Sequence, residues 1–304
     1  MSMRKSLTKT LLLTLLCGMI VSIIGVMAGG STSLYFEGDR FSFSPKVTRY
    51  ITETGEMVDI AAFRAVEINL SVGSLDIVHG SEPGVTYTVH DAEYSPTMRV
   101  DNGVLHISNG GVPNRFHVGI GTSGGARVTL TLPLDMPLEF MNLRTDFGLI
   151  CISDGVMSKR VLANSQVGGI SVSNVTCDEL ELDTVTSRIY VSNTLTAKRL
   201  RINTRTGDIH AWGDFRGETR FTSDTGDIDL MTVAGREQYR LEAHGEYWRR
   251  AGMPPEGEAP NAPHQMYIHT KLGNVNYEFG GLMLATAEEL GLTGDPSSTV
   301  EAAQ

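Results

Sequence analysis

The chain has little with which to do covalent, redox or metal chemistry. It holds 3 cysteines in 304 residues, too few for a disulfide framework. Cys17 sits in an apolar N-terminal segment and Cys177 in a region read as a turn, and no CxxC or Cys/His pair occurs. The 8 histidines show no metal-ligand spacing. No phosphate loop of the G-x-x-x-x-G-K-[ST] kind occurs. Basic charge is also short: 25 Lys and Arg stand against 35 Asp and Glu, a formal net charge of −10. The only charges before residue 30 are positive (Arg4, Lys5, Lys9), so the body is more acidic still. That argues against nucleic acid as a partner and against direct attraction to anionic lipid. No cell-wall sorting pattern and no second apolar span follow the first.

What the chain does have is an internal repeat. Thr-Gly-Asp-Ile occurs at Thr206–Ile209 and again at Thr225–Ile228. Gly148, Gly168, Ser187, Gly207, Gly226 and Gly273 mark the same position in six units, 19 or 20 residues apart except for a last step of 47. Two positions after the mark stand Ile150, Ile170, Ile189, Ile209, Ile228 and Val275. Four after it stand Ile152, Val172, Val191, Ala211, Leu230 and Tyr277. Five before it stand Leu143, Ala163, Leu182, Ile202, Phe221 and Ile268, and seven before it Met141, Val161, Leu180, Leu200, Thr219 and Met266. Three before it every unit has Thr or Ser: Thr145, Ser165, Thr184, Thr204, Ser223 and Thr270.

A spacing of two is strand alternation. The marked glycine lies where the chain must bend and a Cβ would be costly. Asp154, Asn174 and Asn193, six positions later, suggest a second turn. Each unit is therefore two short strands and two turns. One unit cannot bury its apolar stripe alone, whereas stacked units share it as a continuous core. The fold class expected is all-β: a parallel β-solenoid (β-helix-like) of roughly 20-residue repeats, with an N-terminal β cap and one N-terminal membrane helix. A β-sandwich with evenly spaced strands is the alternative.

Five regions follow from this pattern. Residues 1–30 form a transmembrane signal anchor or signal peptide. Thr10 to Ala28 is uncharged, close to the roughly 20 residues of a span, while Val26-Met27-Ala28 offers a cleavage site. Basic residues at the N-terminal flank keep that end in the cytoplasm and send the body across. Residues 31–61 are read as a juxtamembrane linker and 62–135 as the N-terminal β cap. Within the cap, Val66 to Ile77 resembles a seventh unit and the glycine-rich stretch from Asn109 to Arg127 reads as a loop. Residues 136–281 hold the repeats, with an inserted loop at 243–265. Residues 282–304 form a tail, with a short helix expected over Leu282–Leu290.

Val66 to Ile77 (VEINLSVGSLDI), Leu132-Pro133 and the Thr-Gly-Asp-Ile units together resemble a bacterial envelope family of unknown function whose members are labelled putative adhesins. The resemblance runs from about Phe63 to Phe279 and implies a secreted or membrane-tethered β-solenoid. It brings no catalytic residues with it. Ser187, where glycine is expected, and the 243–265 insertion depart from the pattern.

Outward columns carry the chemistry worth weighing. At the rung spacing of about 4.8 Å, Asp208 would stack over Asp227, and His210 between Tyr190 and Asp229. Paired carboxylates could perform glycoside chemistry or, with His210, hold a metal. The plainer reading makes them solvated residues, with the Asp after Gly serving its turn. The Thr/Ser column reads as structural hydroxyls, with a glycan-binding or ice-like face as a remote alternative. Trp212, Tyr247 and Trp248 could stack on sugars, though Trp212 is also read as capping the core at a turn. No residue is assigned a catalytic, cofactor-binding or metal role, and no cofactor is expected. The function expected is a non-enzymatic, membrane-tethered, extracytoplasmic domain for adhesion, envelope scaffolding or binding. Its partners would be the membrane through residues 1–30, and a glycan or surface protein. A polysaccharide-active enzyme and an extracytoplasmic sensor arm are the alternatives. The location expected is the cell membrane, single-pass, with secretion as the alternative.

Overall fold

A computed structural model describes residues 63–89, 94–109, 125–153, 155–244, 259 and 261–280 in full, together with the backbone strands at 34–37, 40–42, 51–53, 115–118 and 247–248. The expected membrane helix, the C-terminal helix and the side chains of Tyr247 and Trp248 lie outside the fully described residues. Among the described residues there is no α-helix, and no helix long and apolar enough to cross a membrane.

The strands in chain order begin with β1 (Leu34–Glu37), β2 (Arg40–Ser42), β3 (Ile51–Glu53), β4 (Ala65–His79), β5 (Gly84–Val89), β6 (Pro96–Asp101), β7 (Val104–Asn109), β8 (Arg115–Val118) and β9 (Ala126–Leu132). The repeat region continues with β10 (Leu138–Phe147), β11 (Ile150–Ile152), β12 (Met157–Val167), β13 (Ile170–Ser173), β14 (Thr176–Thr186), β15 (Ile189–Thr206), β16 (Ile209–Phe215), β17 (Glu218–Thr225) and β18 (Ile228–Thr232). The last are β19 (Tyr239–His244), β20 (Tyr247–Trp248), β21 (His264–Leu272) and β22 (Asn274–Phe279).

The repeat columns are the registers of the sheet. Met141 pairs with Val161, Val161 with Leu180, Leu180 with Leu200, Leu200 with Thr219 and Thr219 with Met266, all parallel. The isoleucine column runs Ile150, Ile170, Ile189, Ile209, Ile228, Val275 in the same way. Units therefore pair parallel at the repeat offset, not as antiparallel hairpins. Every inward residue of these two columns is buried, and together with their neighbours they form one cluster from Phe63 to Val275. Each fully buried aliphatic side chain contributes roughly 1.5–3 kcal/mol, so the stack is held by its interior.

The hydroxyl column faces inward as well. Thr145, Ser165, Thr184, Thr204, Ser223 and Thr270 are all buried, which removes the glycan-binding or ice-like face. Each donates to the carbonyl of the marked residue one rung back: Gly73, Gly148, Gly168, Ser187, Gly207 and Gly226, at 2.9–3.2 Å. At the bends that hold glycine a side chain has no room. A Cβ on Gly168 would lie 1.8 Å from the Gly148 carbonyl oxygen, at a φ of +148°. The second turn uses Asn174 and Asn193, both at positive φ (54° and 44°), a conformation asparagine tolerates. At the second of these turns the chain does not break: β15 runs on through a register shift into the next rung.

Four readings change, while Val66–Ile77, which resembles a seventh unit, is a rung of the stack: β4 pairs parallel with β10 and β11 on one side and with β7 and β9 on the other. The end beyond it is closed by antiparallel strands, β6 on β7 and β5 on β9. The stretch read as a linker holds three short strands, of which β3 pairs with β5, and the stretch read as a loop after Asn109 holds β8, which pairs with β1. Cys177 belongs to β14 and is buried. Finally, the segment read as an inserted loop from Ala243 carries part of a rung: β19 and β20 pair parallel with β21 and β22. Tyr239, Leu241 and Ala243 supply the inward side chains, and the absence of a Thr-Gly-Asp mark hid this rung from periodicity.

Candidate functional site

The outward face of the second strand in each rung brings together the residues singled out by spacing. Tyr190, His210, Asp229 and Asn276 are direct neighbours on four successive rungs. His210 Nδ1 lies 2.9 Å from Asp229 Oδ2. The other oxygen, Asp229 Oδ1, accepts from Asn276 Nδ2 at 2.6 Å. The Tyr190 ring packs edge-on to Trp212, with centroids 4.5 Å apart. Trp212 is thus on the outer face of β16 beside Tyr190 instead of capping the core at a turn. The result is a polar ledge with an aromatic step at one end, and half-exposed throughout.

Asp208 and Asp227 do stack, but each gives one oxygen to the next rung's backbone. Asp208 Oδ1 accepts the Asp227 backbone N–H at 3.0 Å, and its Oδ2 is 3.4 Å from Arg188 Nη2. Asp227 Oδ1 accepts the Asn274 backbone N–H at 2.7 Å and Asn274 Nδ2 at 3.1 Å. Ser74 Oγ accepts from Leu149 N at the equivalent bend. The residue after the marked glycine therefore caps the next rung's amide, as an Asx turn does within a chain. A glycosidase needs two carboxylates free to face the scissile bond, and here one oxygen of each is held by a backbone amide of the next rung.

His210 is no better placed as a general base. The nearest hydroxyl of its column belongs to Tyr190, and Ser171 lies a further rung away, about 10 Å from His210 at the rung spacing. Among the described residues, no group of three or more His, Cys, Asp or Glu could hold a metal ion. Cys151 is half-buried and its thiol is pushed up by burial and then by the charge of Asp76. Burial pushes the Cys177 thiol up to about 12. Neither is an activated nucleophile, since the reactive form is the thiolate.

One surface feature escaped the sequence reading. Phe147 and Leu149 flank Gly148, and Val167 precedes Gly168; all three are close to half exposed. They form an apolar rim along the bend edge, Val72 against Phe147 against Val167. Farther along, the same column turns to threonine at Thr186, Thr206 and Thr225, and back to Leu272. The signal was available: apolar residues beside a bend glycine, in positions that alternation points outward.

A family model described as Toastrack DUF4097 matches residues 64–245, more than half the chain. The chain belongs to the Toastrack DUF4097 family. Its match begins with β4 and ends just after β19, so it takes in the bend glycines from Gly73 to Gly226 and leaves β21 and β22 outside. No curated protein matches the chain. Among solved structures, a putative cell adhesion protein from Clostridium sporogenes ATCC 15579 is 12% identical with a TM-score of 0.37, covering 76% of this chain and 100% of its own. A putative adhesin from Bacteroides fragilis NCTC 9343 is 12% identical with a TM-score of 0.33, covering 76% of this chain and 97% of its own. A putative lipid-binding protein from Parabacteroides distasonis ATCC 8503 is 11% identical with a TM-score of 0.40, covering 77% and 95%. Likenesses this distant do not carry those proteins' roles over to this Toastrack chain.

Proposed function

We propose that this Toastrack chain is a non-enzymatic binding domain of the adhesin type, a β-solenoid tethered to the membrane by residues 1–30 with its body outside the cytoplasm. The reading is supported first by the ledge of Tyr190, Trp212, His210, Asp229 and Asn276. It presents an aromatic step and a line of hydrogen-bonding groups at one rung spacing, about 4.8 Å. That is close to the length of a sugar ring, and aromatic rings beside amide and carboxylate groups suit a glycan. The engaged oxygens of Asp208 and Asp227 support the non-enzymatic part. An uncharged stretch from Thr10 to Ala28 with basic residues before it supports the tether.

The test is binding of the purified chain to an array of glycans and envelope polymers, with release of soluble product followed on the same array. Retention without product, lost on Tyr190→Ala and weakened by His210→Ala, is the expected result. Product release abolished by Asp227→Asn would overturn the non-enzymatic reading. Retention that Tyr190→Ala leaves unchanged would remove the ledge as the binding face.

A further inference from the structure

Six rungs of the stack, from β4 to β17 and β18, are laid down in chain order, and the last two are not. β21 pairs with β17 on one side and with β19 on the other. β22 likewise lies between β18 and β20. The last rung in sequence, 264–279, is therefore wedged between the rung 218–232 and the rung 239–248 that precede it in the chain. The inward columns continue through it without a break: Thr219, Met266, Leu241, and Phe221, Ile268, Ala243. It also lies outside the part of the chain that the Toastrack family model matches.

This order means that the flanking rungs form a slot with a free backbone edge on each wall and an apolar floor between. The contacts that fill it are generic to one segment: two parallel ladders, the Thr270 hydroxyl on the Gly226 carbonyl at 2.9 Å, and Gly280 N on Ala234 O at 3.2 Å. Tyr239 stands at the mouth. Its hydroxyl donates to the Phe215 carbonyl at 2.6 Å, and its ring lies 5.5 Å from Phe279 and 5.6 Å from His264. Residues 249–263 join the slot's far wall to its occupant. Extended at ~3.3 Å per residue, they reach about 50 Å, enough to enter the same slot of a neighbouring molecule.

We infer that the slot between residues 218–232 and 239–248 is a strand-acceptor site, filled by residues 264–279 of the same chain or of a second copy, so that two chains can exchange their C-terminal rungs. Every contact is the same in the two cases, as in domain swapping. The choice is set by concentration while the slot is open. Once filled from a partner, the slot releases it only by withdrawing a whole rung, so the exchanged dimer outlasts dilution.

Glu218 and Gln265 are exposed and directly opposed on β17 and β21. Their separation, about 4.8 Å between parallel neighbours, lies within the ~4.4–6.8 Å that a disulfide spans. In dilute solution the double variant E218C/Q265C of the full chain should close an intrachain disulfide. The single variants E218C and Q265C, unfolded together and refolded over a range from about 1 µM to several hundred µM, should give a heterodimer. Peptide mapping should join residue 218 of one chain to residue 265 of the other, in a fraction that rises with concentration. Failure of the double variant to close would refute the rung order and the inference with it. A double variant that closes while the mixed singles never cross-link would refute exchange. The unmodified chain gives an independent readout. Refolded concentrated, it should yield a dimer that persists on native dilution and disappears after dilute refolding, and a chain that is only monomeric under both regimes would overturn the proposal.

Discussion

Thr184→Val is the most direct perturbation of what holds the rungs in register. The two side chains have nearly the same shape, so the core keeps its volume. What is lost is the 3.1 Å bond from the Thr184 hydroxyl to the Gly168 carbonyl. A hydrogen bond contributes about 1 kcal/mol net, and a buried acceptor left without its donor costs about 1–3 kcal/mol. The added methyl returns about 0.8 kcal/mol. The expected net loss is roughly 0.2–2.2 kcal/mol, a fall in Tm of about 2–4 °C per kcal/mol for a body of this size. The structure supplies its own control. Thr196 is equally buried, and its hydroxyl has no hydrogen-bond partner among the described residues. Thr196→Val should therefore be neutral or stabilising by about 1 kcal/mol, because it removes an unpaired polar atom. Urea unfolding of the purified chain, with wild-type slope retained, measures both. If Thr184→Val is as stable as wild type, or if the two variants shift in the same direction, the hydroxyl column does not hold the bends and the argument fails.

The bend glycines should behave very differently from the one serine among them. Gly168→Ala places a Cβ 1.8 Å from the Gly148 carbonyl oxygen, forcing two rungs apart at a cost of roughly 3 kcal/mol or more; Ser187→Gly should change stability by less than about 1 kcal/mol, and chemical unfolding compares the two. Asp227→Ala frees the Asn274 amide and should destabilise by about 1–2 kcal/mol, whereas Asp227→Asn keeps an acceptor and should cost less than half as much; equal losses would show that charge, not acceptance, matters there. Cys177 titrates only near 12 when folded, against 9.0 for an ordinary thiol. The unfolded chain therefore gives up this proton first, so stability should fall as pH rises from 9 towards 12 and be unaffected by Cys177 below 9. Cys177→Ser should flatten that slope, and at neutral pH Cys177 should resist alkylation until the chain unfolds.

Short-range chemistry made much of this molecule readable. Strand alternation acts over two residues, and the Thr-x-x-Gly mark acts over four, so the inward columns, the bends and their registers all followed from spacing. The same spacing put His210 between Tyr190 and Asp229, because rung neighbours are set once the period is known. The fate of Asp208 and Asp227 was only half readable. Their stacking follows from the period, yet whether a carboxylate faces solvent or the next rung's amide depends on the backbone across the bend, which no single unit encodes.

The sequence by itself determined which residues face inward and how each unit docks on the next, since both depend on alternation and on bends marked by glycine in every unit but the one with Ser187. The order of the final rungs was decided by tertiary structure. Tyr239, Leu241 and Ala243 alternate as Met266, Ile268 and Thr270 do, so either strand could lie against β17 as far as its apolar pattern goes. Only the later segment has a threonine, Thr270, whose hydroxyl reaches the Gly226 carbonyl. That difference seats residues 264–279 inside and leaves residues 239–248 at the end of the stack.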